Sequence, residues 1–159
     1  MKFDHIGIVV SDLADGRTML GAAFGIRAWT DEFRDNEIGV SVQFGRDASG
    51  TCYEIVAPLT DRSPVSRVLA ERVNVIHHLA YLVADLDGEA KRLRDEGFIV
   101  IGPPKRAVAY SGSRIQFFVS ETQMIFELIE APAHVHQYAE LEQSDFVRAQ
   151  RKLRRGSST

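Results

Sequence analysis

Four side chains in this sequence have the chemistry to hold a divalent metal ion, and they come as two pairs at one spacing. His5 and His78 lie 73 positions apart, and so do Glu54 and Glu127. The histidines occupy matching segments, Asp4-His5-Ile6-Gly7-Ile8-Val9-Val10-Ser11-Asp12-Leu13 and His77-His78-Leu79-Ala80-Tyr81-Leu82-Val83-Ala84-Asp85-Leu86. The glutamates occupy Tyr53-Glu54-Ile55-Val56 and Phe126-Glu127-Leu128-Ile129. Imidazole nitrogens and carboxylate oxygens are the usual ligands of first-row divalent ions. A carboxylate inside an apolar strand is costly to bury without a partner, and a shared cation would satisfy both glutamates. One strand histidine alone reads as a hydrogen-bonded core residue; the common offset is what favours a metal.

The elements that must position these residues repeat in the same order. Phe3 to Val10 reads as a strand, Ser11-Asp12 offer N-cap chemistry, and Leu13 to Phe24 reads as a helix stopped at Gly25. Strands follow at Ile26 to Phe33, Ile38 to Phe44 and Thr51 to Val56, the last two joined by a turn at Asp47-Ala48-Ser49-Gly50. The second module has strand Val75 to Val83, helix Leu86 to Glu96 begun at Asp85, and strands Phe98 to Ile101, Arg114 to Val119 and Met124 to Ile129. Its helix rests on Leu86, Ala90 and Leu93, which share one face. Module one spans 1–58, a linker helix opened by Pro64 lies within 59–74, and module two spans 75–132. Residues 133–159 form a tail, helical from Glu140 to Leu153 on the pattern of Leu141, Phe146, Val147 and Leu153. Strand alternation puts His5, Gly7 and Val9 on one face and Asp4, Ile6 and Ile8 on the other. It likewise turns His78 and Ala80 away from His77, which is left a role in packing or in supporting a ligand from outside. Gly7 and Ala80 leave space beside the ligands. His134 and His136 could share a face of an extended tail segment, and an ordinary surface position is expected for both.

The bulk properties narrow the classes. The 159 residues are 45% hydrophobic, enough for one domain with a real core. No run approaches the roughly 18 apolar residues of a membrane span, and no signal peptide precedes the first strand. Cys52 is the sole cysteine, which fits a reducing compartment, and a cytoplasmic protein is expected. A net charge of −3 gives no electrostatic footprint for nucleic acid. The basic run Arg151-Lys152-Leu153-Arg154-Arg155 suits the solvated last turn of a terminal helix.

With these residues in place, the chain resembles the vicinal oxygen chelate superfamily of glyoxalases, bleomycin-resistance proteins and dioxygenases over residues 3–132. Within it, the resemblance is nearest to methylmalonyl-CoA epimerases, through Asp4-His5-Ile6-Gly7, Ala57-Pro58-Leu59-Thr60-Asp61-Arg62-Ser63-Pro64-Val65, Ile76-His77-His78-Leu79-Ala80, Gly112-Ser113-Arg114-Ile115-Gln116-Phe117 and Phe126-Glu127-Leu128. The resemblance implies an α+β fold in which two tandem βαβββ modules form an open eight-stranded barrel-like sheet around a metal site. It implies one divalent ion (Co, Ni, Zn, Mn or Mg) on His5, Glu54, His78 and Glu127, and a homodimer. Three departures stand out. Glu54 replaces the glutamine common in such epimerases, approaching the two-His, two-Glu set of some bacterial glyoxalases. The non-ligand glutamate that moves the substrate proton in the epimerases is matched by Ser41, with Gln43 nearby; Glu37 is the nearest acid. Val119-Ser120-Glu121-Thr122 also replaces the usual His-Pro turn.

Four protein ligands on a six-coordinate ion leave two positions for a substrate that chelates through two oxygens. The expected function is a metal-dependent epimerase or isomerase that abstracts a proton α to a carbonyl through a metal-stabilised enolate, with Glu127, Glu54 or Glu37 as the base. The expected partner is a small-molecule substrate, and the resemblance to the epimerases implies an acyl-CoA. The alternatives are a glyoxalase I-type lactoylglutathione lyase, and a non-catalytic antibiotic-binding protein.

Overall fold

The computed structural model describes residues 1–71 and 75–140. Ten strands and three helices run in the order β1 (Lys2–Val9), α1 (Leu13–Phe24), β2 (Ala28–Trp29), β3 (Phe33–Asp35), β4 (Val40–Arg46), β5 (Cys52–Pro58), α2 (Pro64–Glu71), β6 (Val75–Leu82), α3 (Leu86–Asp95), β7 (Ile99–Ala107), β8 (Ser113–Val119), β9 (Ile125–Ile129) and β10 (Ala139–Glu140) among the described residues. A 3-10 turn, Val108–Tyr110, links β7 to β8. The strands form one mixed sheet of order β10-β2-β4-β5-β1-β6-β9-β8-β7, with β3 paired to β4. Its ends do not pair, so the sheet stays open.

The two modules meet at β1 and β6, which are antiparallel, and each is flanked by a parallel partner from its own module. The parallel registers coincide under the sequence repeat. Gly7 faces Glu54 in the β1–β5 pair, and Ala80 faces Glu127 in the β6–β9 pair. Each glutamate therefore lies one strand away from its own module's histidine strand. The helices are placed by local chemistry: the Asp12 carboxylate accepts from the Ala14 and Asp15 amides, and the Asp85 carboxylate accepts from the Gly88 amide. Helix α1 stops at Gly25, whose φ of 69° needs no Cβ.

Alternation divides the core by sheet face. Leu13 and Leu20 of α1 pack with Ile8, Val10, Ile55 and Trp29, while Leu86, Ala90 and Leu93 of α3 pack with Val83, Phe118 and Leu128. The other face carries Val9, Val42, Phe44, Val56, Ala80, Leu82 and Ile129, and it is the face of the four candidate ligands.

Two changes turn the expected eight strands into ten, and a third lengthens one of them. The run Ile26 to Phe33 splits into β2 and β3, because Thr30 leaves the ladder and its hydroxyl accepts the Phe44 amide at 3.1 Å. The short strand foreseen at Phe98 to Ile101 extends to Ala107 as β7. Pro103 and Pro104 are tolerated there because β7 is an edge strand with a register break between Ile101 and Lys105. A turn in which the His134 amide donates to the Ala131 carbonyl at 3.0 Å is followed by 134–138, which carry no regular structure and lead into β10, so the tail is not helical where it begins. The helix expected from Glu140 to Leu153 lies, from 141 onward, outside the described residues. Helix α2 matches the Pro64-led linker, with Val65 buried. Among the described residues, no helix is long and apolar enough to cross a membrane.

Candidate metal centre

His5, Glu54, His78 and Glu127 converge, all buried, with one donor atom from each within 4.8 Å of the others. His5 Nε2 stands 3.0 Å from His78 Nε2, 3.3 Å from Glu54 Oε2 and 3.6 Å from Glu127 Oε2. His78 Nε2 is 3.3 Å from each glutamate oxygen. Ligands at about 2.0–2.2 Å from a divalent ion stand ~2.8–3.6 Å apart along tetrahedral or cis-octahedral edges. All five separations fall in that band. Charge fits as well. Two carboxylates can be balanced by two imidazolium groups or by one divalent cation with both imidazoles neutral, and the exchange leaves the net charge unchanged. The protonated alternative shows in the pKa directions. Burial alone would push His5 down, but Glu54, Asp4 and Glu127 outweigh it and raise it to about 10. Burial likewise opposes ionisation of Glu54, yet His5 and His78 hold it down at about 2.

Gly7 makes the close approach feasible. Across the β1–β6 pair Gly7 faces His78 and Ala80 faces His5. A Cβ on Gly7 would lie 2.1 Å from His78 Cε1. The space anticipated beside the ion is thus taken by the opposite module's imidazole.

Two β-bulges complete the geometry of the cluster, and strict alternation did not anticipate them. In the β1–β6 ladder Phe3 pairs with Tyr81 and His5 with Ala80, leaving Asp4 as an extra residue. Gly7 pairs with His78 and Ile8 with Ile76, leaving His77 as the other. A bulge re-aims side chains. Asp4 and His77 accordingly turn toward the ligand beside them instead of to the opposite face. With its Nε2 in the cluster, His5 carries its proton on Nδ1 and donates to Asp4 Oδ2 at 2.9 Å. His78 Nδ1 lies 3.0 Å from His77 Nδ1. Burial, helped by His78, pushes His77 down to about 4, so it is the neutral acceptor. Such partners fix the tautomer and orientation of metal-binding histidines. Of the two roles expected for His77, the contact with His78 is the supporting one.

Asp4 Oδ2 also accepts from the Tyr110 hydroxyl at 2.6 Å and from His136 Nε2 at 3.1 Å. Burial raises the Asp4 carboxyl, but His136, His5 and Tyr110 together hold it well below the usual carboxylate range. The expected surface position of His136 is overturned: its side chain is 7% exposed and stacks on Phe44. His134 is half-buried beside it, so the shared face of the two histidines holds.

A cavity of about 420 Å³ opens onto the cluster, with Glu54, His78 and Glu127 in its wall and Val40, Val56, Ile115 and Phe117 among the apolar side chains around them. His77 and Lys105 also reach it, whereas His5 lies behind. Asp35 lines it too, but its carboxylate accepts the Glu37, Ile38 and Val108 amides and so pins the turns. Glu37 is not brought to the cluster. It is exposed in a separate groove with Arg34, Arg106 and Ser111. Ser41 is buried against Glu32, and Val40 and Val42 take the cavity side of β4. Gln43 is held by Arg17 and the Thr30 carbonyl.

This fold and donor set define a class. The model of the Glyoxalase/Bleomycin resistance protein/Dioxygenase superfamily matches residues 4–117, and the chain belongs to that superfamily. Among individual proteins, it is 31% identical over 137 residues to the uncharacterized protein YqjC of Bacillus subtilis, covering 85% of this chain and 96% of that one. It is 31% identical over 121 residues to an ethylmalonyl-CoA/methylmalonyl-CoA epimerase of Cereibacter sphaeroides, covering 73% of this chain and 86% of the relative. A solved variant of the Streptomyces coelicolor methylmalonyl-CoA epimerase, in complex with 2-nitronate-propionyl-CoA, superposes with a TM-score of 0.69 at 28% identity, covering 86% and 98% of the two chains. The chain is thus similar to acyl-CoA epimerases in both sequence and structure.

Proposed function

We propose that this protein is a metal-dependent epimerase or isomerase of an α-substituted acyl thioester, methylmalonyl-CoA epimerase-like, with Glu54 and Glu127 as its proton-transfer pair. The observation that supports this most is the placement of the two carboxylates. Glu54 comes from β5 on one flank of the central β1–β6 pair and Glu127 from β9 on the other, and both border the cavity. Inverting a carbon α to a carbonyl requires a proton to leave one face and another to arrive at the opposite face. Two carboxylates related by a pseudo-twofold axis suit that task, and they supply the base that Ser41 and Glu37 do not.

His5, His78, Glu54 and Glu127 would hold the divalent ion, which when bound supplies Lewis-acid stabilisation to a developing negative oxygen. One of the two glutamates, loosened from the ion, would take the α-proton from one face and lose it to solvent, while the other would deliver to the opposite face a proton taken up from solvent, the roles exchanging with the substrate's configuration. The apolar wall excludes water around the reacting carbon, which strengthens local electrostatics. Lys105 supplies a cation at the cavity for an anionic group of the substrate. The catalytic unit is read as one domain, 1–132, working in the cytoplasm as a homodimer.

The test is isotope exchange in D2O with the metal-loaded protein. Methylmalonyl-CoA or ethylmalonyl-CoA should gain deuterium at the α-carbon, and Glu127→Gln or Glu54→Gln should slow this by at least ~10²-fold. The two-His, two-Glu set favours one second reading, a glyoxalase I-type lyase. Absence of exchange together with isomerisation of the methylglyoxal–glutathione adduct would move the assignment there. Retention of metal with neither reaction would support a binding protein.

A further inference from the structure

Residues 133–140 lie beyond the span of the family match, yet they reach the metal cluster from outside. His134, His136 and Tyr138 turn to the same side, while Val135 between them is 68% exposed. Three anchors fix this segment. Ala139 and Glu140 pair with Trp29 and Ala28; the Tyr138 hydroxyl donates to Cys52 Sγ at 3.1 Å beneath the Arg46 guanidinium; and the His136 ring stacks on Phe44 at 4.1 Å between centroids. Phe44 in turn meets the His5 ring edge-on at 5.3 Å.

We propose that residues 133–140 form a strap that sets the metal centre from behind, with His136 a positioning residue that acts on His5 through Asp4. This rests on reading the four-residue cluster as a metal centre. Asp4 sits on a bulge, so the regular ladder does not fix its backbone, and its carboxylate depends on side-chain partners for its orientation. One oxygen, Oδ2, takes all three: His5 Nδ1, the Tyr110 hydroxyl and His136 Nε2. His134 Nε2 lies 3.3 Å from His136 Nδ1, so His136 can accept from His134 while it donates to Asp4. Without His136, Asp4 loses a donor and its cover from solvent, and the Phe44 ring loses the face that presses it toward His5. Both effects loosen the ring whose Nε2 meets the ion. Removing outer partners of metal-binding histidines typically weakens metal affinity by about 10–100-fold.

The experiment uses the full chain stripped of metal and titrated with Co(II), reading visible absorption, affinity by chelator competition, and thermal melting. His136→Phe keeps a ring for Phe44 but no donor; His136→Gln keeps an N–H donor at similar reach; His136→Ala removes both. We expect one Co(II) per wild-type chain, a shifted absorption band with affinity weakened by about 10–100-fold in the Phe and Ala variants, and largely restored binding in the Gln variant. Folding of each variant is checked by circular dichroism, and the Phe and Gln variants decide the matter if the Ala variant does not fold. A lowered melting temperature with unchanged Co(II) spectrum and affinity in His136→Phe would overturn the strap's role and leave the metal centre standing. A folded wild type that takes up no divalent ion would overturn the metal reading and this proposal together.

Discussion

Gly7→Ala is a one-carbon perturbation at the point where the two modules come closest. The added Cβ would lie 2.1 Å from His78 Cε1, 2.4 Å from Nε2 and 2.5 Å from Nδ1. Carbon atoms rest at about 3.5 Å or more, so the ring must retreat by roughly 1.4 Å or the β1–β6 pair must spread. The ring has little room, because Nδ1 is held at 3.0 Å by His77 and its face meets the edge of Phe117. A retreat of that size moves Nε2, now 3.3 Å from both glutamate oxygens, out of the range in which one ion can be shared. Overpacking of this kind costs about 1–3 kcal/mol, which lowers the melting temperature by roughly 2–12 °C in a chain of this length. Affinity for a divalent ion should fall by at least ~10²-fold, the upper end of the loss seen when only an outer partner is removed. Calorimetric titration with Zn(II) or Co(II), paired with a thermal melt, measures both. Ala80→Gly, on the opposite side of the pseudo-twofold axis, adds no atom and should weaken binding by less than about tenfold. Wild-type affinity and melting temperature in Gly7→Ala would refute the reasoning, since the imidazole would then have space that the geometry denies it.

Three further outcomes are expected. Glu37→Gln should leave α-proton exchange within about twofold of wild type, because Glu37 lies in a separate exposed groove; a large loss would restore it as the base. Arg114 holds the Glu130 carboxyl at about 2, aided by the Leu86 amide. A depressed carboxyl stabilises the fold above its unfolded value near 4.5, and that contribution disappears as pH falls toward 2. Glu130→Gln should therefore lower stability by no more than ~1 kcal/mol at pH 7, given a partly solvated pair, and by nothing near pH 2. Burial pushes the Cys52 thiol up to about 12, so it should resist thiol reagents at pH 8 in the native protein and react on unfolding; prompt native reaction would show that the strap over it opens.

The convergence of His5, Glu54, His78 and Glu127 was legible in the sequence because duplication writes each of the two residue types twice at one offset, and strand parity then puts all four on one face. The helices were legible for local reasons: Asp12, Asp85 and Pro64 start them, and Leu86, Ala90 and Leu93 give α3 its buried stripe. Bulges were not legible, because period-two alternation carries no sign of an extra residue. Asp4 and His77 were accordingly assigned to the wrong face. A clue did exist, since these two polar residues share the offset of the histidines they adjoin. His136 escaped notice because its partners, Asp4 and Phe44, are distant in sequence, and no local pattern reports such a contact.

Each bulge also works as a change of phase in its strand. Were the strand to alternate without a bulge through Asp4, Phe3 would share the face of His5; as built, it lies on the other side against Tyr81, 41% exposed. Were the strand to alternate without a bulge through His77, Ile76 would share the face of His78; instead it pairs with Ile8 on the outer side and is 70% exposed. The strand ends therefore leave apolar residues in solvent so that a carboxylate and an imidazole can stand behind the two ligands. Forcing either strand into unbroken alternation through its bulged residue would reverse this exchange, sending a phenylalanine or an isoleucine inward where the polar support now lies, whereas deleting that residue would keep them outward and remove the polar support alone. Strands with better local pairing would then enclose a poorer metal site.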